Sequence, residues 1–273
     1  MRARNLHMRG VIVVSCLLFV VLSIVLGPLI WTHDPNKTDL LHKFGGIDRD
    51  HLLGTDDFGR DILSRVLHGG RLTLLGGSAV LVGGVLFGFS VGAIAGFAGG
   101  RLSSCISWLL DGLLALPTLV VALGIVGVLG KSYGNLVLAL ILTNWPWFAW
   151  TFRGLIRAQR TREYVVAAQA GGVPPWRILW RHIVPNTLGP ALVLITTSFG
   201  SALLSLTALS FLGLGVQQPE AEWGAMVNGG RNYVQTNSWV MLVPGLAIAV
   251  TVLLVNMLGD ILRDRLDPRD GDR

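Results

Sequence analysis

Residues 163–190, EYVVAAQAGGVPPWRILWRHIVPNTLGP, form a polar, arginine-rich passage between strongly apolar segments. It opens on an acidic residue and a run of good or small helix formers, Glu163–Ala170, then breaks at Gly171-Gly172. Pro174-Pro175 start a second helical stretch, because proline suits the first turn, where its missing N–H costs nothing. That stretch carries Trp176, Arg177, Ile178, Trp180, Arg181 and His182, and Pro185-Asn186 are expected to stop it. An apolar chain has little reason to build so structured a polar passage unless something docks on it.

The rest of the chain is membrane-like. It has 273 residues, of which 52% are hydrophobic and only 14% charged, with a mean hydropathy of +0.60. Crossing about 30 Å of hydrocarbon takes roughly 20 apolar residues. Six runs meet or approach that length: 11–31, 74–97, 107–129, 136–152, 191–212 and 239–262. The first ends at Ile30-Trp31 with no small-x-small site, so it reads as an uncleaved span rather than a signal peptide. The expected division is a short terminus 1–10, the first span 11–31, a segment 32–73 outside the cytosol, a five-helix core 74–262 with the loop 153–190, and a terminus 263–273. Cys16 and Cys105 show no metal spacing and read as free thiols.

Basic residues orient the spans. With both termini in the cytosol, that side collects the larger share of the 22 Lys and Arg residues, including Arg153, Arg157, Arg160, Arg162, Arg177 and Arg181. Segment 32–73 holds six more, offset by seven aspartates. A pI near 10.0 therefore reflects insertion topology and not nucleic-acid binding. Gly130-Lys131-Ser132 lacks the earlier glycine of a phosphate loop, where Ile125 stands, and Gly213-x-Gly215 has Gln218 in place of a third glycine. His33, His42, His51 and His68 have no metal spacing. No catalytic site and no cofactor of the chain's own are expected.

Ala167, Ala168, Gly171, Ile178, His182, Pro185 and Asn186 match the EAA-loop pattern, a glycine after paired alanines and a closing His-x-x-Pro-Asn. Through them the chain resembles the permease subunits of binding-protein-dependent ABC importers. His51-Leu-Leu-Gly-Thr-Asp-Asp-Phe-Gly-Arg-Asp61 and Thr207-Ala-Leu-Ser-Phe-Leu-Gly-Leu-Gly215, leading to Glu222-Trp223-Gly224, are similar to the dipeptide, oligopeptide and nickel branch. The resemblance covers nearly all of 50–270. It implies an all-α, six-span membrane permease of the type I importer fold. The implied partners are a second similar permease, two ATPase subunits that carry ATP and Mg, and a solute-binding protein outside. It makes Glu163 and the matching residues the coupling element, Asp56, Asp57, Arg60 and Asp61 candidate contacts for the binding protein, and Ser210, Phe211, Leu212 and Gly213 a candidate outer gate. The implied cargo is a di- or oligopeptide, with nickel or another small solute second; an ion-coupled secondary transporter is the alternative of a different class. The pattern departs at Val166, where the family has its glutamate, at Pro174, where it often has a serine or threonine cap, and at Gln217-Gln218-Pro219, where it often has Gln-Pro-Pro.

Gly84, Gly88, Gly92, Gly96 and Gly100 recur every fourth residue in the second span, a ladder that lets helix backbones approach closely; Gly83 is expected off that face. Asp56, Asp57, Arg60, Asp61 and Arg65 are placed to form a local ion network. Polar groups within spans are costly. Asp111 and Asp260 are expected near the membrane edges beside Arg101 and Arg263, whereas Asn144, with Trp145 and Pro146, is the candidate for the translocation path.

Overall fold

Helix α1, Arg2–Ile30, leads into an irregular segment with one short 3-10 turn, and α2 follows as a 37-residue helix, Ile62–Ala98. The computed structural model describes residues 2–266. Arg269 and Arg273 of the expected cytosolic terminus lie outside them. Among the described residues the remaining helices are α3 (Gly100–Leu114), α4 (Thr118–Leu129), α5 (Tyr133–Arg160), α6 (Glu163–Ala170), α7 (Pro175–Ile178), α8 (Val184–Phe211), α9 (Trp223–Gly230) and α10 (Trp239–Leu266). The only extended pairing among them is a single bridge between Thr55 and Asp61.

The second span begins earlier than its apolar run suggests, because Asp61 caps α2 by accepting the Ser64 N–H at 2.7 Å. The third is broken: α3 and α4 meet at 83°. Pro117, which precedes α4, lacks an N–H and biases Leu116 away from helix. Among the described residues four helices are long and apolar enough to cross a membrane, five when the bent pair is taken as one span. The fourth expected span, 136–152, lies within the 28-residue α5. That helix is long enough, about 42 Å at about 1.5 Å per residue, but falls outside that group. The polar and weakly apolar stretch Thr143-Asn144-Trp145-Pro146-Trp147 in its middle lowers its mean hydropathy and accounts for the difference.

Helices α2 and α5 form the central seam. A Cβ on Gly92 would lie 2.6 Å from the Ala149 carbonyl oxygen, and one on Gly96 2.9 Å from that of Arg153. Gly88 likewise faces α5 backbone, at Ala149 N and the Trp145 carbonyl oxygen, whereas Gly84 faces the Phe148 ring. Gly100 falls beyond the helix end, with φ +58 and nothing near its missing side chain, so the ladder stops at Gly96. Gly83 is not the free position expected, since a Cβ there would lie 2.8 Å from Ile141. Backbone on the far side of the seam cannot yield as a side-chain tip can. We therefore expect Gly92→Leu to cost about 3 kcal/mol, the upper end of core overpacking, and to lower the yield of membrane-inserted chain. Gly154→Leu, on α5 where a Cβ meets nothing within 4 Å, should leave it unchanged. Equal yields would show that the seam tolerates a gap.

Two further features position the site. Pro28 has no N–H for the Ile24 carbonyl. Arg71 of α2 donates there instead, Nε at 3.1 Å, with Nη2 on the Val25 carbonyl at 2.5 Å. Farther along, α8 and α10 cross at small residues: Gly200 faces the Asn256 amide oxygen at 2.7 Å, and Gly259 faces a Thr197 methyl at 2.6 Å, each measured from the Cβ that glycine lacks.

Candidate functional site

The arginine-rich end of the molecule is built around α6. The helix closes in a Schellman arrangement, with Val173 N–H donating to the Ala168 carbonyl and Gly172 N–H to that of Gln169. The left-handed residue of that turn is Gly172, φ +74. Gly171, the first residue of the expected break, has φ −78 and is exposed, and the nearest atom to a Cβ there is the Ala167 carbonyl oxygen at 3.5 Å. Val165, Ile178 and Ile183 are buried in one cluster with Ile156 of α5 and Ala93 of α2. Ile178 is thus an internal anchor and unavailable to a partner. Glu163, Ala167, Gly171, Pro185 and Asn186 are exposed, and Ala168 and His182 half-buried. Tyr164, Val166, Trp176 and Trp180 add an exposed apolar surface.

Pro185 does not stop the second helix. Residues Leu179–Ile183 widen into a π turn in which Val184 N–H donates to the Leu179 carbonyl, and α8 runs on from Val184. The wider turn gives the proline ring room that an α-turn would deny it. Asn186 Nδ2 donates to the His182 carbonyl at 2.6 Å. Pro175–Phe211 is therefore one continuous 37-residue helix, joining the exposed surface to the membrane core.

In that core Asn144 borders a cavity of about 130 Å³ between α2, α5 and α8, beside Phe148, Ser198 and Ser201. Its Nδ2 donates to the Leu140 carbonyl at 2.8 Å, which leaves the amide oxygen for another donor. Trp147, not the expected Trp145, lines this space; Trp145 instead lies along the seam, its carbonyl oxygen close to Gly88. The expected outer gate divides. Ser210 is buried, its hydroxyl without a protein partner, wedged between Gly215 and Gly224. Phe211 is half-buried and Leu212 exposed, and Gly213, φ +78, closes the helix.

At the aspartate-rich end the expected ion network forms, but inside the protein. Arg60 Nε donates to Asp56 Oδ2 at 2.7 Å, Arg65 Nε lies 3.4 Å from the same oxygen, and Arg60 Nη2 lies 3.7 Å from Asp57. The two arginines reach across to the loop after α8: Arg60 Nη1 donates to Gln218 Oε1 at 2.5 Å and Arg65 Nη1 to the Pro219 carbonyl at 3.1 Å. Asp61 takes no part in this network. It caps α2 and accepts from Trp31 Nε1 at 2.8 Å, with His51 Nδ1 at 3.0 Å. Asp56, Arg60 and Asp61 are each at most 4% exposed, so the set expected to face a partner instead braces the loop. Burial, with the neighbouring Asp56 charge, pushes the Asp57 carboxyl above its usual range.

A model of the binding-protein-dependent transport system inner membrane component matches residues 88–270. The chain belongs to that family. Relatives of this transport-system component agree. The dipeptide transport system permease DppC of Alkalihalophilus pseudofirmus is 38% identical over 98% of this chain and 88% of its own length. The di/tripeptide permease DppC of Pseudomonas aeruginosa is 39% identical over 93% and 86%. The nickel permease NikC of Escherichia coli is 38% identical over 86% and 85%. Among solved structures, the inward-facing MetNI methionine ABC transporter shares the fold, with a TM-score of 0.56 at 19% identity, over 73% of this chain and 95% of that one. The component is an all-α, multi-pass membrane protein.

One residue of this membrane component escaped the sequence reading of its site. Glu222 is fully buried, and it accepts from Thr73 Oγ1 at 2.9 Å and from the Gly224 and Ala225 N–H groups at 3.0 Å each. It caps α9 and fastens it to α2. Glutamate is not among the usual N-cap residues, so the local sequence carried little sign of this cap.

Proposed function

We propose that this chain is one of two permease subunits of an ATP-driven importer for di- or oligopeptides. The supporting observation is the exposed face of α6 and α7, held on buried anchors and fused to the helix that borders the Asn144 cavity. In this reading both termini and α6 lie in the cytosol, and residues 263–273 continue there. Two ATPase subunits carry ATP and Mg and dock on Glu163, Ala167 and Gly171. A second permease completes the path past Asn144, and a binding protein delivers cargo to the segment braced by Asp56 and Arg60. The chain itself performs no hydrolysis.

Peptide cargo rests on the dipeptide permeases among the relatives. The nickel permease matches at similar identity, which makes a nickel complex the second reading. Purified complex in proteoliposomes, supplied with its binding protein, should accumulate a labelled dipeptide only when ATP is enclosed on the α6 side. Uptake of nickel without dipeptide would select the second reading. Uptake of either in the absence of ATP would refute the importer assignment.

A further inference from the structure

A wide apolar groove of about 690 Å³ runs between α1, α2, α8 and α10, distinct from the Asn144 cavity. Its walls are aliphatic and aromatic, with Val21, Leu75, Phe199 and Val255 among them. Two of its polar residues ask for nothing. Thr196 Oγ1 donates to the Leu192 carbonyl at 2.8 Å and Thr251 Oγ1 to that of Ala247 at 2.7 Å. Ser78 and Arg71 are the polar lining groups left over.

Arg71 sits where the apolar run 74–97 of α2 begins, which is headgroup depth on the aspartate-rich side. The carbonyls of Ile24 and Val25 hold its guanidinium at the groove through Nε and Nη2. A guanidinium carries five N–H donors in a fork that suits a phosphate. Two nitrogens are held by α1, so the Nη1 donors are free of protein partners among the described residues. The groove therefore presents a hydrocarbon-lined slot with a fixed cation at its headgroup end.

We propose that this groove is a binding site for one glycerophospholipid of that leaflet, its phosphodiester on Arg71 and an acyl chain between α1 and α10. A peptide helix from a partner would fill the slot by shape, but only one bearing a carboxylate at this depth would match Arg71. The bound lipid fills the gap beside α1 and so fastens that helix to the core.

The test uses the full complex purified in mild detergent. Native mass spectrometry should find a phospholipid retained on the wild-type complex. Val21→Trp fills the slot without touching the Arg71 hydrogen bonds, and it should lower the occupancy by about tenfold or more, the effect of losing about 1.4 kcal/mol of binding. Arg71→Lys, which keeps the charge but not the fork, should lower it less. A photoreactive residue at Leu75 should form a lipid adduct. Occupancy unchanged by Val21→Trp, a wild-type complex without phospholipid, or a crosslink from Leu75 to the partner permease would each overturn the proposal.

Discussion

Gly171→Asp is expected to strip the ATPase subunits from the purified complex and abolish uptake, while the chain still inserts and pairs with its partner permease. The substitution is mild for the chain itself. Gly171 is exposed with φ −78, and a Cβ there touches only carbonyl oxygens at ordinary contact distance. A negative charge at the C-terminus of α6 costs about 0.3–1 kcal/mol against the helix dipole. Within a docked groove the same carboxylate is desolvated without a partner. At several kcal/mol per buried ion, a loss of about 4 kcal/mol weakens docking by roughly a thousandfold. Gly172→Ala separates the two effects, because φ +74 makes that position strained for any side chain and the α6 turn itself should suffer. Co-purification of the ATPases with each variant gives the answer. Full ATPase content and uptake with Gly171→Asp would show that α6 does not couple.

Asp56→Asn should destabilise the aspartate-rich end by about 3–5 kcal/mol, the range for removing one member of a buried ion pair. One carboxylate oxygen faces both Arg60 and Arg65, and the carboxylate also accepts the Phe58 and Arg60 N–H groups at 2.9 and 3.0 Å. Neutralising it leaves two buried guanidiniums facing each other and loosens their hold on Gln218 and Pro219. Thermal unfolding of the purified complex, with limited proteolysis of the 217–222 loop, should register both losses.

Asp57→Asn, one residue on, should behave in the opposite way. The folded-state pKa of Asp57 is raised, chiefly by burial. Such a group contributes stability fully present below its unfolded pKa, about 3.9, and lost as pH rises through the folded value. The asparagine variant should therefore gain on the wild type as pH increases across that interval. An Asp56→Asn complex as stable as Asp57→Asn would show that the network holds nothing together.

The sequence carries these features unevenly, and the reason is range. Helix α6 is legible to the residue, because its acidic start and the Gly171-Gly172 break are local signals. The ion network among residues 56–65 is legible as chemistry for the same reason. Its burial is not, because the loop that covers it carries Gln218 and Pro219, far along the chain. Pro185 is a local stop signal overruled by a π turn, and Pro117 a local break within what reads as an unbroken apolar run. Asn144 announces itself as a polar group in a span, whereas the choice of Trp147 over Trp145 as its neighbour depends on the rotation of α5 against α2. Glycine spacing marks the seam correctly but mistakes its width, since Gly83 and Gly84 both lie in it.

The helix Pro175–Phe211 measures about 55 Å at about 1.5 Å per residue. Its tightest crossing with α10, at Thr197–Gly259 and Gly200–Asn256, falls a little past its middle. A rod gripped there is a see-saw. Tilting it by about 5° carries the Pro175 end through roughly 3 Å and the Phe211 end through roughly 1.6 Å, by the arm lengths that its rise implies, and in opposite directions. In the proposed topology a push on Trp176 at one face of the membrane thus emerges at Phe211 on the other with its sign reversed, so that one motion would narrow the proposed passage at one end as it widens it at the other.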